Sequence, residues 1–345
     1  MTKRDNHYVP DSYLKRWAGG DGKVWAYRIL VSHANERLWK SYSSKSIGYQ
    51  KHLYTRMVAG GESDAIENWF ESEFETPVSS VFQRVVADEV LSAEDWRLLI
   101  RFLAAQDVRT PANLIERLRQ WGEVLPKLMD ESLARSVRKL KKAKRTGIPL
   151  SMASPIEDLD QFPARTLIRP SENEKEAVVQ VEATIGRSLW LWSVKHLLTS
   201  TLNALHKHNW TILRSPPGIE WLTSDNPVVR LNYQTADVFD FKGGWDRLGT
   251  VIFMPLSPTH LLYTQVGSEP LKERTASLFL AAQIQRFTIE HAHRYVFGRS
   301  ADRQVALWRP RTVNRDAVHA EAEQWRNWHP EQSEAELEML RSRAG

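Results

Sequence analysis

The chain of 345 residues carries 47 Lys and Arg against 42 Asp and Glu, with 42% hydrophobic and 26% charged residues. This is a globular composition and excludes a wholly disordered chain. It has no cysteine, which removes disulfide frameworks, thiolate nucleophiles and Cys-bound zinc or iron–sulfur centres. The segment Met1–His7 has no apolar stretch, and no window reaches the roughly 18 apolar residues of a membrane helix. A soluble cytoplasmic protein with no membrane partner is therefore expected.

The first sixty residues read as short strands and turns, with Gly19-Gly20-Asp21-Gly22 before the alternating run Lys23–Leu30. Helical spacing then places Ile66, Trp69, Phe70, Phe74, Val78, Val81, Phe82 and Val85 on one side of residues 63–87, with a break at Pro77. Ser92 is an N-cap signal for a helix with the inner stripe Trp96, Leu99, Ile100 and Leu103. Residues 112–146 continue as helix until Gly147 and Pro149. Residues 147–172 read as a connection, and 173–208 as a long helix. Beyond it, short extended runs are split by Pro216-Pro217, Asn226-Pro227, Gly243-Gly244 and Pro258. A helix near 274–292 follows, then extended runs at Tyr295–Phe297 and Val305–Trp308. The expected fold class is α+β, with an antiparallel or mixed sheet built from N-terminal and C-terminal strands. The expected organisation is one domain over 1–315, with a helical middle (about 63–208) and a β-rich part (about 209–310), followed by a charged helix over 316–345.

Charge is unevenly placed. Residues 1–60 hold eleven basic and four acidic residues, and the stretch from Asp316 holds seven acids against three arginines. The densest run is Arg135, Arg138, Lys139, Lys141, Lys142, Lys144 and Arg145, with Leu133, Val137 and Leu140 largely opposite. That amphipathic helix with a basic face is a candidate nucleic-acid contact, and equally a solvated face.

The common catalytic signatures are missing: no G-x-G-x-x-G, Walker A loop, H-E-x-x-H or G-x-S-x-G. The pairs His206/His208 and His291/His293 fall in expected helix, where i,i+2 spacing points the rings apart. Less familiar patterns remain. His7 precedes the extended Val9-Pro10 and is suited to proton exchange near neutral pH. Glu67, Glu71 and Glu75 drift across an apolar helix face, where carboxylates need partners. Gln106 lies on an inner stripe, three residues before Arg109, whose fork suits carboxylate or phosphate. Asp225 sits in Thr223-Ser224-Asp225-Asn226-Pro227, where Pro227 interrupts a strand. It either aims at a ligand or metal, or forms an Asx turn.

Taken together, Asn6-His7-Tyr8-Val9-Pro10, the acidic helix ending at Glu75, Gln106-Asp-Val-Arg109-Thr110-Pro111, Ser224-Asp225-Asn226-Pro227-Val228, Met254–Pro258 and Ala292–Phe297 resemble the prokaryotic family called domain of unknown function 4238. One departure is Gln285-Arg286-Phe287-Thr288 in the late helix, where members of the family often carry Asn. The resemblance implies that His7, Glu75, Gln106, Arg109 and Asp225 are positions the family pattern keeps, and a common polar pocket is the simplest account.

The leading expectation is a hydrolase for a phosphate-bearing substrate, foremost a nuclease, suited by analogy to antiviral defence or toxicity. His7 would act as general acid or base, and Glu75 and Asp225 would hold Mg or Mn or activate water. Arg109 would hold a phosphate oxygen and Gln106 would orient a neighbour. The rivals are a non-catalytic nucleic-acid- or protein-binding module, and an NAD-type nucleotide enzyme with aromatic walls from Trp17, Tyr8 or Trp221.

Overall fold

The computed structural model describes residues 4–147, 162–170, 177–235 and 238–344. The principal N-terminal strands are β1 (Asp5–His7), β2 (Lys23–Arg28), β3 (Trp39–Ser43) and β4 (Tyr49–Lys51). β1 pairs antiparallel with β4, and β2 with β3.

The helical middle starts with α1 (Ala65–Phe70), a wider π turn over Glu71–Glu75, and α2 (Ser79–Val86). Regular helix does not resume until beyond Pro77, which has no N–H to offer the ladder. α3 (Ala93–Val108) begins where Ser92 marks it: Ser92 Oγ accepts from Asp95 N at 3.2 Å and Asp95 returns a bond to Ser92 N at 2.9 Å. α4 (Pro111–Thr146) follows at once, with Thr110 as N-cap, Pro111 at its first turn and Gly147 closing it at φ 67°.

Residues 173–208 do not form the single long helix expected. β5 (Ala164–Pro170) and β6 (Ala177–Ala183) form an antiparallel hairpin, and helix starts only at α5 (Arg187–His196). The run Ala-Val-Val-Gln-Val-Glu-Ala is rich in β-branched residues and alternates, so it takes the two-residue period. Residues 148–161 of the expected connection lie outside the described residues.

The C-terminal half supplies β7 (Thr211–Arg214), β8 (Thr223–Ser224), β9 (Val229–Tyr233), β10 (Phe239–Asp240), β11 (Val251–Pro255) and β12 (His260–Gln265). It continues with α6 (Leu278–His291), β13 (Tyr295–Gly298), α7 (Gln304–Trp308) and α8 (Arg315–Ala344). One antiparallel sheet has the order β7-β12-β11-β9-β10, and a second has β8-β13-β2-β3. The second joins the N-terminal and C-terminal strands, so the fold is α+β as expected. The run expected as a strand at 305–308 is instead helix α7, preceded by a turn in which Asp302 Oδ1 accepts from Gln304 N at 2.8 Å.

The main core gathers Val9, Tyr13, Trp17, Phe70, Phe74, Leu99, Leu103, Trp190, Phe297 and Trp328 from both ends of the chain and the helical middle. Trp17 is fully buried with its indole N–H on Trp221 O at 2.7 Å, and the Tyr13 hydroxyl donates to Pro255 O at 2.6 Å. These bonds satisfy the polar ends of large rings taken from water. Among the described residues no helix is long and apolar enough to cross a membrane.

α8 is held to this body by a buried ion pair. Arg187 is fully buried; its Nε donates to Glu336 Oε1 at 3.0 Å and its Nη2 to Oε2 at 2.6 Å. Ser188 Oγ and Met57 N also donate to Glu336, at 2.9 and 2.8 Å. Leaving either charge unpaired in this position costs about 3–5 kcal/mol. Arg187→Ala is therefore expected to lower unfolding free energy by that amount in urea titrations. Arg187→Lys should recover only part of it, because an ammonium cannot make the two-pronged contact.

Candidate functional site

The segment Gln106–Pro111, at the α3–α4 junction, is a buried hub. Arg109 is fully buried, and its guanidinium lies over the Phe70 ring at 4.4 Å. Its Nη1 donates to Glu75 Oε1 at 2.6 Å and its Nη2 to the backbone oxygen of His7. The Tyr54 hydroxyl donates to Arg109 O at 2.7 Å, and Tyr54 N is held by Asn6 Oδ1 at 3.0 Å. Burial favours the neutral guanidine, but the negative charges of Glu75 and Glu67 and the Glu75 hydrogen bond outweigh it and keep Arg109 charged. The π turn over Glu71–Glu75 changes the helical phase ahead of Glu75, which meets this guanidinium.

The same junction reaches two other segments. Asp107 accepts from Trp245 Nε1 at 2.7 Å and pairs with Arg230 at 3.0 Å. Thr110 Oγ1 donates to Asn226 Oδ1 at 3.1 Å. Asp225, one residue earlier, is buried, and its two oxygens accept the backbone N–H groups of His293 at 2.8 Å and Arg294 at 2.7 Å. These contacts bring the N-terminal motif, the α3–α4 junction, the β8–β9 turn and the loop after α6 together.

Where they meet, an open cleft of about 760 Å³ is lined by Tyr8, Arg28, Tyr49, Pro111, Asp225, His293, Arg294, Tyr295, Glu321 and Trp325, among others. Tyr8, Pro111, Asp225 and the run His293–Tyr295 come from the motifs singled out above. Burial pushes the Asp225 carboxyl from 3.8 up to about 6, against the opposing pull of the backbone amides. Burial also raises the Tyr8 phenol, and the neighbouring Asp225 raises it further, so Tyr8 stays protonated. His293 is pushed down to about 4 by burial and by Arg294 and Arg309; its Nε2 is buried without a partner among the described residues. Among the described residues Arg28 has one ion pair, a long contact of 3.8 Å to Glu36. An acid/base group near neutrality, a neutral imidazole, a phenol and a weakly held guanidinium thus share one aromatic-walled cleft.

The five residues expected to form the pocket do not surround it. Asp225 lines the cleft; Arg109 is buried, pairs with the partly exposed Glu75, and holds the backbone of His7. The His7 ring packs on Tyr49 at 5.6 Å, with Nε2 3.3 Å from Lys45 O. Gln106 is fully buried with neither amide atom bonded among the described residues, so it orients no neighbour. Glu75 and Asp225 make no shared metal site: one carboxylate is held by an arginine and the other by two backbone amides. Of the aromatic walls expected, Tyr8 is present, whereas Trp17 and Trp221 are buried in the core. Sequence reasoning missed His293, Arg28 and Arg294. His291-Ala-His293 was visible as a pair, but the helix C-cap at Ala292 puts His293 beyond the helix.

Two other constellations are structural. His52, Glu62 and His329 have potential ligand atoms within 4.8 Å of one another. Yet Arg187 Nη1 lies 2.9 Å from His329 Nδ1 and can only donate, so that nitrogen is the acceptor. The proton then sits on Nε2, 3.0 Å from Glu62 Oε1, and leaves no lone pair for a metal. His260 lies between Ser257 and Asp88 at 3.2 Å each, but Ser257 Oγ already accepts the backbone N–H groups of Thr259 and His260.

The basic run stands away from the cleft residues, on the distal half of α4. Leu125 is the last buried residue of that helix, and all seven basic side chains are exposed. None has an ion-pair partner among the described residues. At 100° per residue, all but Lys144 fall within about 160° of arc, opposite Leu133, Val137 and Leu140.

The family model described as protein of unknown function DUF4238 matches residues 5–302, and the chain belongs to that family. No curated protein and no solved structure matches the chain.

The cleft carries a pH signature. The raised Asp225 contributes stability that is fully present below its ordinary value of 3.8 and is lost as pH rises to about 6. His291 and His293 act the opposite way: lowered to about 4, they stabilise above the ordinary 6.5, and that contribution is lost as pH falls toward 4. Asp225→Asn removes the opposing carboxyl, so the loss of stability on acidification between these values should steepen by about 1.4 kcal/mol per pH unit. His293→Gln should flatten it by the same amount, both read from urea midpoints against pH.

Proposed function

We propose that the cleft is the active site of a hydrolase acting on a phosphate-bearing substrate of nucleotide size. The observation that carries this reading is the convergence of three distant family segments on one cleft holding Asp225, His293, Tyr8 and Arg28. A packed core would not need acid/base groups and a loosely held arginine there. The aromatic rings of Tyr49, Tyr295 and Trp325 line the cleft and offer faces for a base.

In this reading Asp225, ionised above about pH 6, takes the proton of the attacking water as the water oxygen bonds to the electrophilic centre. The leaving group departs on the far side. Arg28 neutralises a phosphate oxygen, and protonated Tyr8 donates a hydrogen bond to developing negative charge. His293, neutral across the working range, orients the substrate through Nε2. The backbone bonds that Asp225 accepts fix both its own position and that of His293 and Arg294.

A second reading, a nuclease acting on strand ends, is favoured by the exposed basic arm. A polyanion held along Arg135–Arg145 would bind in a salt-sensitive manner, and a terminal nucleotide would enter the cleft.

The test is turnover of ATP, NAD, single-stranded RNA and single-stranded DNA, with and without magnesium, followed by chromatography of products. Asp225→Asn should lower kcat by about 10²–10⁴-fold, with an ascending pH limb near 6 in the wild type. Arg28→Ala should act mainly on KM. Charge reversal at Lys139, Lys141 and Lys142 should weaken polymer binding and its salt dependence. Equal turnover by wild type and Asp225→Asn would overturn the assignment.

A further inference from the structure

One wall of the cleft comes from beyond the family match at 5–302. Val318, Glu321, Ala322 and Trp325 lie on one face of α8, at helical spacing. Glu321 meets Arg294 across the cleft, with its two oxygens 3.0 and 2.8 Å from Arg294 Nε. Both side chains remain partly exposed, at 33% for Arg294 and 24% for Glu321. The pair is therefore weaker than the buried Arg187–Glu336 pair that anchors the same helix. Beside it, Arg28 has donors to spare.

We infer that Arg28 and Arg294 form an anion subsite and that Glu321 is its internal occupant, which an incoming phosphate displaces. This rests on the reading of the cleft as a phosphate site. The competitor sets a threshold. A monoanion gains little by exchanging one negative group for another on Arg294. A terminal phosphate, close to dianionic at pH 7.5, can engage Arg294 and Arg28 together through several oxygens. Glu321 thus sets a cost that a dianionic phosphomonoester end overcomes more readily than a phosphodiester, while the preference itself comes from the two arginines. Because Trp328 and the Arg187–Glu336 pair hold α8 independently, the exchange needs only Glu321 to swing away.

The experiment is calorimetric titration of the full chain with inorganic phosphate, AMP and cyclic AMP at pH 7.5. Wild type should prefer AMP to cyclic AMP. Glu321→Gln, which keeps an oxygen to accept from Arg294 Nε, should bind AMP about tenfold tighter, the scale of one like charge removed from beside a bound anion. The occupant costs every anion that displaces it the same free energy, so cyclic AMP should gain by a comparable factor and the preference for AMP should remain. Glu321→Asp, with charge kept and reach shortened, should fall between, and unchanged thermal midpoints show that the variants are folded. If Arg28→Ala loses AMP while Glu321→Gln binds no tighter than wild type, the cleft reading stands and the occupant role of Glu321 is overturned. If AMP and phosphate bind to none of the proteins, both are overturned.

Discussion

The fold depends on how one buried cation is satisfied. Arg109 lies at the junction of the two longest helices of the middle region, with no exposed surface. A guanidinium there requires a counter-charge and acceptors. It receives them from Glu75 on a π turn and from the backbone of His7, while Tyr54 bonds the backbone at Arg109. Each of these partners belongs to a different part of the chain, so satisfying one charge fixes the N-terminal strand, the acidic turn and the helix junction in a single arrangement. Tyr8 and Pro111, the neighbours of two members of this network, thereby become walls of the cleft. The polar hub is a positioning device for what lies beside it.

Asp225 serves the architecture and, in the function proposed, the chemistry as well. Its two oxygens are fixed by backbone N–H groups after α6, which would ordinarily favour the charged form. Burial outweighs those bonds and leaves the group titrating near neutrality. The same loop carries His293 and Arg294 into the cleft, so the group that sets the loop also sets the local charge. Electrostatics here follow from depth: Arg187–Glu336 is buried, Arg294–Glu321 is half open, and the basic side chains of the α4 arm are exposed with no ion-pair partner among the described residues.

Local signals were readable without the structure wherever local physics decides conformation. Ser92 with Asp95 announced α3, Gly147 announced the end of α4, and Pro77 announced the break before α2. The opposition of Leu133, Val137 and Leu140 to the basic run is a property of helical spacing and survives intact. The misreadings are equally instructive. The Ala177–Ala183 segment joins a hairpin because an antiparallel partner is present at Ala164–Pro170, and β propensity responds to pairing more than to composition. The run at 305–308 is helical and is entered through a turn in which Asp302 accepts from Gln304 N, a contact that an extended reading of Val305–Trp308 overlooks.

The amino-acid sequence by itself determined the α+β class, the basic arm, the absence of thiol chemistry, and which polar residues stand out from a packed core. It carried no distances, and distance separates a catalytic group from a structural one. Only the tertiary structure decided that Glu75 and Arg109 neutralise each other while Asp225 lines the cleft. Tertiary packing alone also brought His293, Arg28 and the α8 face to the same place. The physical reason is that pairing, burial and access are properties of a side chain's surroundings. Those surroundings are assembled from segments as distant as Tyr8 and Trp325.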